Sequence, residues 1–325
     1  MRRGALIGIA IVLLLVLGHW SGSQPERDAV GAASEALGIP FESRLVDVGE
    51  VTLAVVFAGP EAGPPVVLLH GFPEFWYAWR GPAAVLARAG FRVIIPDQRG
   101  YDRSAKPSGA AAYRIDRLVG DVIGLIDALG YPQVRLGAQD LGGMVGWRAV
   151  IDHPERFERF AVIDTPHPLA RGEGDENTIK WYRSFLQIPL IPGYAARLAN
   201  WRLLTSNLRA TSADGAFSED ELDQYRSAWD HQNAIHTMGN WYRAEWLPLE
   251  TEGRVATPTL VILAADDRFI PAAATRASLA YLDDGRLLEL GSGTHWVVGE
   301  EPERIGRILA EFFDAKIEND DRPHP

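Results

Sequence analysis

The sequence predicts an α/β fold: a mostly parallel, doubly wound sheet with helices on both faces and a helical segment inserted late in the chain. Three observations carry this. Short, continuous apolar runs at 66–69 and 93–95 read as strands buried on both faces of a parallel sheet, and 133–136, 160–163 and 258–263 continue the strand series. Helix-like stretches at 83–89, 118–129 and 145–151 fall between them, giving the strand–helix alternation of a doubly wound sheet. The rhythm breaks between about 169 and 248, where Trp, Tyr and Arg gather in helix-like patterns without a clear strand run.

Taken in order, residues 1–23 stand apart. Met1-Arg2-Arg3 is a short basic head, and 4–17 is almost wholly apolar before Gly18-His19-Trp20 and the small residues Ser21-Gly22-Ser23. The run is long for the apolar core of a secretion signal and short for a membrane span of about 20 residues. Signal peptide and N-terminal membrane anchor both leave the basic end in the cytoplasm and carry the rest outside. An extracytoplasmic location is therefore expected: secreted, periplasmic or held at a membrane. Residues 24–40 form a polar linker with a weak helix. Residues 41–48 and 51–58 alternate like the strands of a hairpin around Gly49-Glu50. The α/β core is expected over 24–168 and 249–317, with a last strand at 287–290 and a last helix at 303–313. A helical cap is expected over 169–248 and a polar tail over 318–325. A cap above the carboxyl ends of the strands would enclose a water-poor pocket there.

Composition narrows the function. The 325 residues are 47% hydrophobic and 23% charged, an ordinary globular mixture. With no Cys, thiolate catalysis, thiolate metal ligation and disulfides are excluded. The net charge of −11 argues against a nucleic-acid partner, which needs a basic surface. His231 and His236 lie five apart, off the spacing of a shared helix face, and no metal site is expected.

The most informative stretch is Leu136-Gly137-Ala138-Gln139-Asp140-Leu141-Gly142-Gly143. Small residues stand two before and two after Asp140, between a strand run and a helical pattern. This is the spacing of a nucleophile elbow, which lifts one side chain above a sheet. The same residues also fit a glycine-rich turn with Asp140 as helix N-cap. A carboxylate is ionised at neutral pH and attacks without a base. It suits displacement at saturated carbon better than acyl transfer, so the elbow points to α/β-hydrolase chemistry that opens epoxides or displaces halide. In that fold, the loop after the 66–69 strand and the residue after the nucleophile supply backbone N–H donors to an oxyanion. Here these are Phe72, in His70-Gly71-Phe72-Pro73, and Leu141. Ala264-Ala265-Asp266-Asp267 places two competing acids at a strand end, where one can orient a histidine. Gly291-Ser292-Gly293-Thr294-His295-Trp296 follows the last strand and supplies that histidine, His295.

Together these segments resemble the epoxide hydrolases of the α/β-hydrolase fold. The residues that carry the resemblance are 70–80 (His-Gly-Phe-Pro-Glu-Phe-Trp-Tyr-Ala-Trp-Arg), Asp97-Gln98-Arg99-Gly100-Tyr101, Gln139-Asp140-Leu141-Gly142-Gly143, Pro166-His167-Pro168, Asn240-Trp241-Tyr242-Arg243 and Gly293-Thr294-His295-Trp296. The similarity spans roughly 41–317. It implies Asp140 as nucleophile, His295 as the base that activates water, and Asp267 as its acid, three residues after Ala264. It also implies two cap phenols as donors to the epoxide oxygen. Tyr242 lies in the Asn-x-Tyr-Arg motif. Tyr182 lies in Tyr182-Arg183-Ser184-Phe185-Leu186-Gln187-Ile188-Pro189, matching a Tyr-x-x-aromatic-x-Gln-x-Pro pattern. Trp76, Trp181 and Trp296 are candidate pocket residues. The partners implied are a small apolar epoxide and water, without cofactor or metal. The chain departs from the family at 139, Gln where His is common, at 141, Leu where Trp is common, and at 138, Ala where Gly begins the elbow. Haloalkane dehalogenases usually place Trp after the nucleophile, and fluoroacetate dehalogenases place Arg near it; Leu141 and Met144 stand here instead. A dehalogenase and an exported, non-catalytic binding protein of the same fold are the alternatives. The oligomeric state is not legible.

Overall fold

A computed structural model describes residues 27–170, 181–188, 196–197, 200–244 and 253–314. The apolar run of 4–17 and the 318–325 tail lie outside these residues. Among the described residues, no helix is long and apolar enough to cross a membrane.

Eight strands form one sheet: β1 (Phe41–Asp47), β2 (Thr52–Ala58), β3 (Pro65–Leu69), β4 (Arg92–Pro96), β5 (Val134–Gln139), β6 (Phe157–Ile163), β7 (Thr259–Ala264) and β8 (Gly285–Leu290). Their spatial order is β1-β2-β4-β3-β5-β6-β7-β8. β1–β2 and β2–β4 pair antiparallel, and β3 to β8 run parallel. The order reverses around β3, which lies between β4 and β5. Strand connections diverge at such a switch point and leave a crevice beyond the carboxyl ends. β5, β6 and β7 are buried along nearly their whole lengths, as expected of central strands of a parallel sheet.

Helices cover both faces: α1 (Ala29–Leu37), α2 (Arg80–Arg88), α3 (Ile115–Ala128), α4 (Asp140–Asp152), then α5 (Trp181–Leu186), α6 (Arg202–Thr211), α7 (Glu219–Asp230) and α8 (Ala234–Arg243), and finally α9 (Ala272–Ala277), α10 (Val297–Glu300) and α11 (Pro302–Asp314). A short 3₁₀ turn spans Trp76–Trp79. α4 begins five residues earlier than the apolar pattern suggests. Gly142 and Gly143 are weak helix formers, but closeness to the sheet demands them: a Cβ on Gly142 would stand 2.5 Å from the His70 carbonyl oxygen.

Between β6 and β7 the described residues form α5 to α8 and no strand. They are fastened to the loops after the strands. Trp229 Nε1 donates to the Pro73 carbonyl (2.6 Å), Thr237 Oγ1 to Gly100 (2.7 Å) and Trp241 Nε1 to Arg99 (3.0 Å). The capping box of Ser218 and Glu221 closes the N-terminus of α7.

Candidate active site

Asp140 is the first residue of α4 and has φ +50°, in the left-handed region that L-residues rarely occupy. The neighbouring strand β3, in register with β5 through Leu69 and Ala138, ends beside it. A Cβ on Gly71 would meet Asp140 Cβ at 2.5 Å, so only glycine lets the two loops approach this closely.

The two carboxylate oxygens of Asp140 have different surroundings. Oδ1 accepts from the Phe72 N–H at 2.9 Å, and the Leu141 N–H also bonds the carboxylate. Oδ2 stands 3.5 Å from His295 Nε2. Burial alone would raise the Asp140 carboxyl. Hydrogen bonding and attraction from His295, with the two backbone N–H groups, outweigh it and hold the group below the usual carboxylate range. The donors expected at Phe72 and Leu141 therefore both converge on Asp140.

The structure separates the two acids after β7. Asp267 Oδ2 lies 2.6 Å from His295 Nδ1, and its side chain is 1% exposed. Its Oδ1 accepts from the N–H groups of Phe269 (2.6 Å) and Ile270 (3.0 Å). Asp266 is exposed. Burial would lower the His295 pKa, but Asp267 and Asp140 overcome it and push it well above the ordinary histidine value. His295 thus lies between two carboxylates that both favour its protonated form. The amide of Gln139 donates to the His295 carbonyl, so this residue supports the histidine loop from beneath.

A cavity of about 300 Å³ opens above Asp140 and His295. Phe72, Phe185, Leu204, Ile235, Tyr242 and Trp296 give it an apolar wall. Tyr242 stands edge-on to Phe72, with ring centroids 5.2 Å apart. Arg243 explains the motif that contains it: its guanidinium donates to Asn240 Oδ1 (2.9 Å) and His236 O (2.5 Å) on its own helix, and to Leu186 O (2.7 Å) on α5. The helices bearing Tyr242 and Tyr182 are thereby tied together. The side chains of Tyr182 and Trp181 lie outside what the structure describes. Trp296 lines the cavity as expected, its indole N–H donating to Thr211 Oγ1 at 2.9 Å. Trp76 lines a different, more polar cavity, of about 330 Å³, with Asp97 and Asp102. Its backbone N–H donates to Asp97 Oδ1 at 2.8 Å.

His70 is structural. Burial lowers its pKa to about 4. Its Nδ1–H donates to Gly71 O (3.0 Å) and its Nε2 accepts from Gln98 N (3.1 Å). Glu74 received no role from the sequence, although it stands in the same loop. It is buried and accepts from the Tyr225 hydroxyl at 3.1 Å. Burial pushes it up to about 7, against the pull of His295. An acid directly after Pro73 and flanked by aromatic residues was the available signal. Among the described residues, no group of acids and histidines could hold a metal ion.

The family model for the alpha/beta hydrolase fold matches residues 64–171. Epoxide hydrolase A of Mycobacterium tuberculosis is 32% identical, over 85% of this chain and 98% of its own length. A fluoroacetate dehalogenase of a Burkholderia species is 34% identical, over 85% of this chain and 95% of its own. The crystal structure of epoxide hydrolase A from Mycobacterium thermoresistibile superposes with a TM-score of 0.71 at 25% identity, covering 85% of this chain and 98% of that one.

Proposed function

Because the chain belongs to the epoxide hydrolases of the α/β-hydrolase fold, we propose that it opens an epoxide to a vicinal diol through an ester on Asp140. The observation that carries this reading is the division of labour between the Asp140 oxygens. Oδ1 accepts from the Phe72 N–H, and Oδ2 stands toward His295 in the cavity floor that Asp140 helps to form. Oδ2 attacks the less hindered epoxide carbon from behind and the C–O bond breaks. The opening oxygen takes a proton with help from Tyr242 and Tyr182, donors that strengthen as charge develops.

Esterification then changes the base. Asp140 loses its charge, and with it one of the two attractions that keep His295 protonated. His295 gives up its proton to solvent, balancing the proton that the phenols deliver to the opened oxygen and regain from solvent, and the neutral imidazole, still oriented by Asp267, takes a proton from water. The hydroxide attacks Asp140 Cγ, the Phe72 and Leu141 N–H groups stabilise the tetrahedral oxyanion, and its collapse breaks the Cγ–Oδ2 bond while the imidazolium returns its proton to Oδ2, so that the diol leaves with Oδ2.

Dehalogenation is the second reading, and the Burkholderia relative supports it. Against it, no Lys or Arg is among the described cavity-lining residues to hold a haloacid carboxylate, and Leu141 offers no indole to a halide. Initial rates on a styrene-oxide-like epoxide, a bromoalkane and fluoroacetate decide between them. Diol formation should exceed halide release. The single Tyr182→Phe and Tyr242→Phe variants should each lose on the order of 10- to 1000-fold in ring opening. Faster halide release, or an unimpaired double variant, would contradict the assignment. Arg2, Arg3 and the apolar 4–17 run support export from the cytoplasm.

A further inference from the structure

His167 stands where the chain leaves the core after β6, in Pro166-His167-Pro168, a motif to which the reaction gives no role. It is buried, with 1% of its surface exposed. Its Nε2 lies 2.8 Å from the carbonyl oxygen of Gly253, on the chain that returns toward β7. Its Nδ1 lies 3.2 Å from the N–H of Leu169, on the outgoing chain. The carbonyl can only accept and the N–H can only donate, so the ring carries its proton on Nε2. Burial lowers its pKa to about 4, which favours this neutral form.

Both crossings also rest on one part of the core, the 3₁₀ turn Ser278–Tyr281. The His167 N–H donates to Ser278 Oγ (2.8 Å), and the Tyr281 hydroxyl donates to Leu169 O (3.1 Å). On the returning chain, the Val255 N–H donates to Tyr281 O (2.9 Å), and the Asp283 N–H donates to Val255 O (3.0 Å). The His167 ring lies flat on Tyr281, with centroids 4.3 Å apart and planes 9° apart, and Trp147 of α4 meets it edge-on at 5.2 Å. Phenylalanine would serve this packing equally well. What imidazole adds is one donor and one acceptor, each given to a different crossing. Pro166 and Pro168 restrict the backbone on either side.

Resting on the reading of Tyr182 and Tyr242 as donors to the epoxide oxygen, we propose that His167 is a positioning residue for ring opening. The outgoing crossing leads to α5, which bears Tyr182, and the returning crossing follows α8, which bears Tyr242. By bonding both crossings at one point, His167 fixes where the helices between β6 and β7 stand over Asp140. Ester breakdown uses Asp140, Asp267 and His295, all on core loops, and does not depend on this pin.

The test compares single-turnover rates of the two steps in His167→Phe, which keeps a ring against Tyr281 and loses both bonds. Ring opening should slow by about tenfold or more, with ester breakdown within about twofold of wild type. His167→Asn, whose shorter side chain can keep the bond to Leu169, should fall between the two. Equal slowing of both steps, or no slowing of ring opening, would overturn the proposal. Hydrogen exchange supplies a readout without substrate. Peptides covering 165–170 and 253–255 should exchange about tenfold faster in His167→Phe, and those of β5 and α4 should not change. A uniform rise, or none, would overturn the proposal. Tyr281→Phe, which removes only the hydroxyl bond to Leu169, keeps the proposal testable if the His167 variants fail to fold. It should slow ring opening by about two- to fivefold and leave ester breakdown unchanged, and the absence of that split would overturn the proposal. A failure of the phenol reading would show differently: Tyr182→Phe and Tyr242→Phe would open epoxide at the wild-type rate, with the exchange result at the two crossings unaffected.

Discussion

Glu74 shows how a single buried acid couples the site to pH. The folded state holds its proton up to about 7, whereas the ordinary value is 4.5. Between these values the native protein binds more protons than the unfolded chain, so the stability Glu74 contributes is present below pH 4.5 and is lost as pH rises toward 7. Glu74→Gln should therefore stabilise the protein more at pH 8 than at pH 5, by up to an order of 3 kcal/mol. Thermal unfolding at both pH values checks this; equal gains would contradict it. The residue types of the site were legible because their chemistry is tied to motif spacing: Asp140, His295, Phe72 and Leu141 all converge where the sequence placed them. Asp266 and Asp267 were not separable by residue type. Burial and the Phe269 and Ile270 N–H groups separate them, and these depend on how the loop folds. Trp76 failed as a pocket residue because an indole packs equally well into core or cavity.

Elements were read best where one force dominates. The buried parallel strands appeared as apolar runs, displaced by only a few residues. β5 was seen as 133–136 but extends over Val134–Gln139, because Gly137, Ala138 and Gln139 continue the ladder without an apolar signal. The link between α5 and α8 was not legible, because it depends on a guanidinium reaching a carbonyl on another helix. Arg243→Ala removes the donors to Leu186, His236 and Asn240 together. It should slow ring opening by roughly 10-fold or more, because the Tyr242 helix loses its fixed position, with much less effect on ester breakdown. Separate single-turnover rates for the two steps provide the measurement. Equal slowing of both would show that Arg243 supports the fold generally and not the phenol-bearing helices.

For the whole molecule, the topology selects the place of the chemistry. The order reverses at β3, and the loops after β3, β5, β7 and β8 bring Phe72, Asp140, Asp267 and His295 to one crevice under the helices that follow β6. The export expected from residues 1–23 is tested by fractionating cells that express the full chain. The protein should be found outside the cytoplasm, and a chain lacking residues 1–23 should remain active; full-length protein free in the cytosol would contradict export. The central claim, that Asp140 Oδ2 becomes an oxygen of the product, is tested most directly by one turnover in heavy-oxygen water with enzyme in excess. The diol from that turnover should be unlabelled, and the heavy oxygen should appear in the peptide containing Asp140. Heavy oxygen in the first diol, with an unlabelled peptide, would mean direct attack by water and would contradict the account.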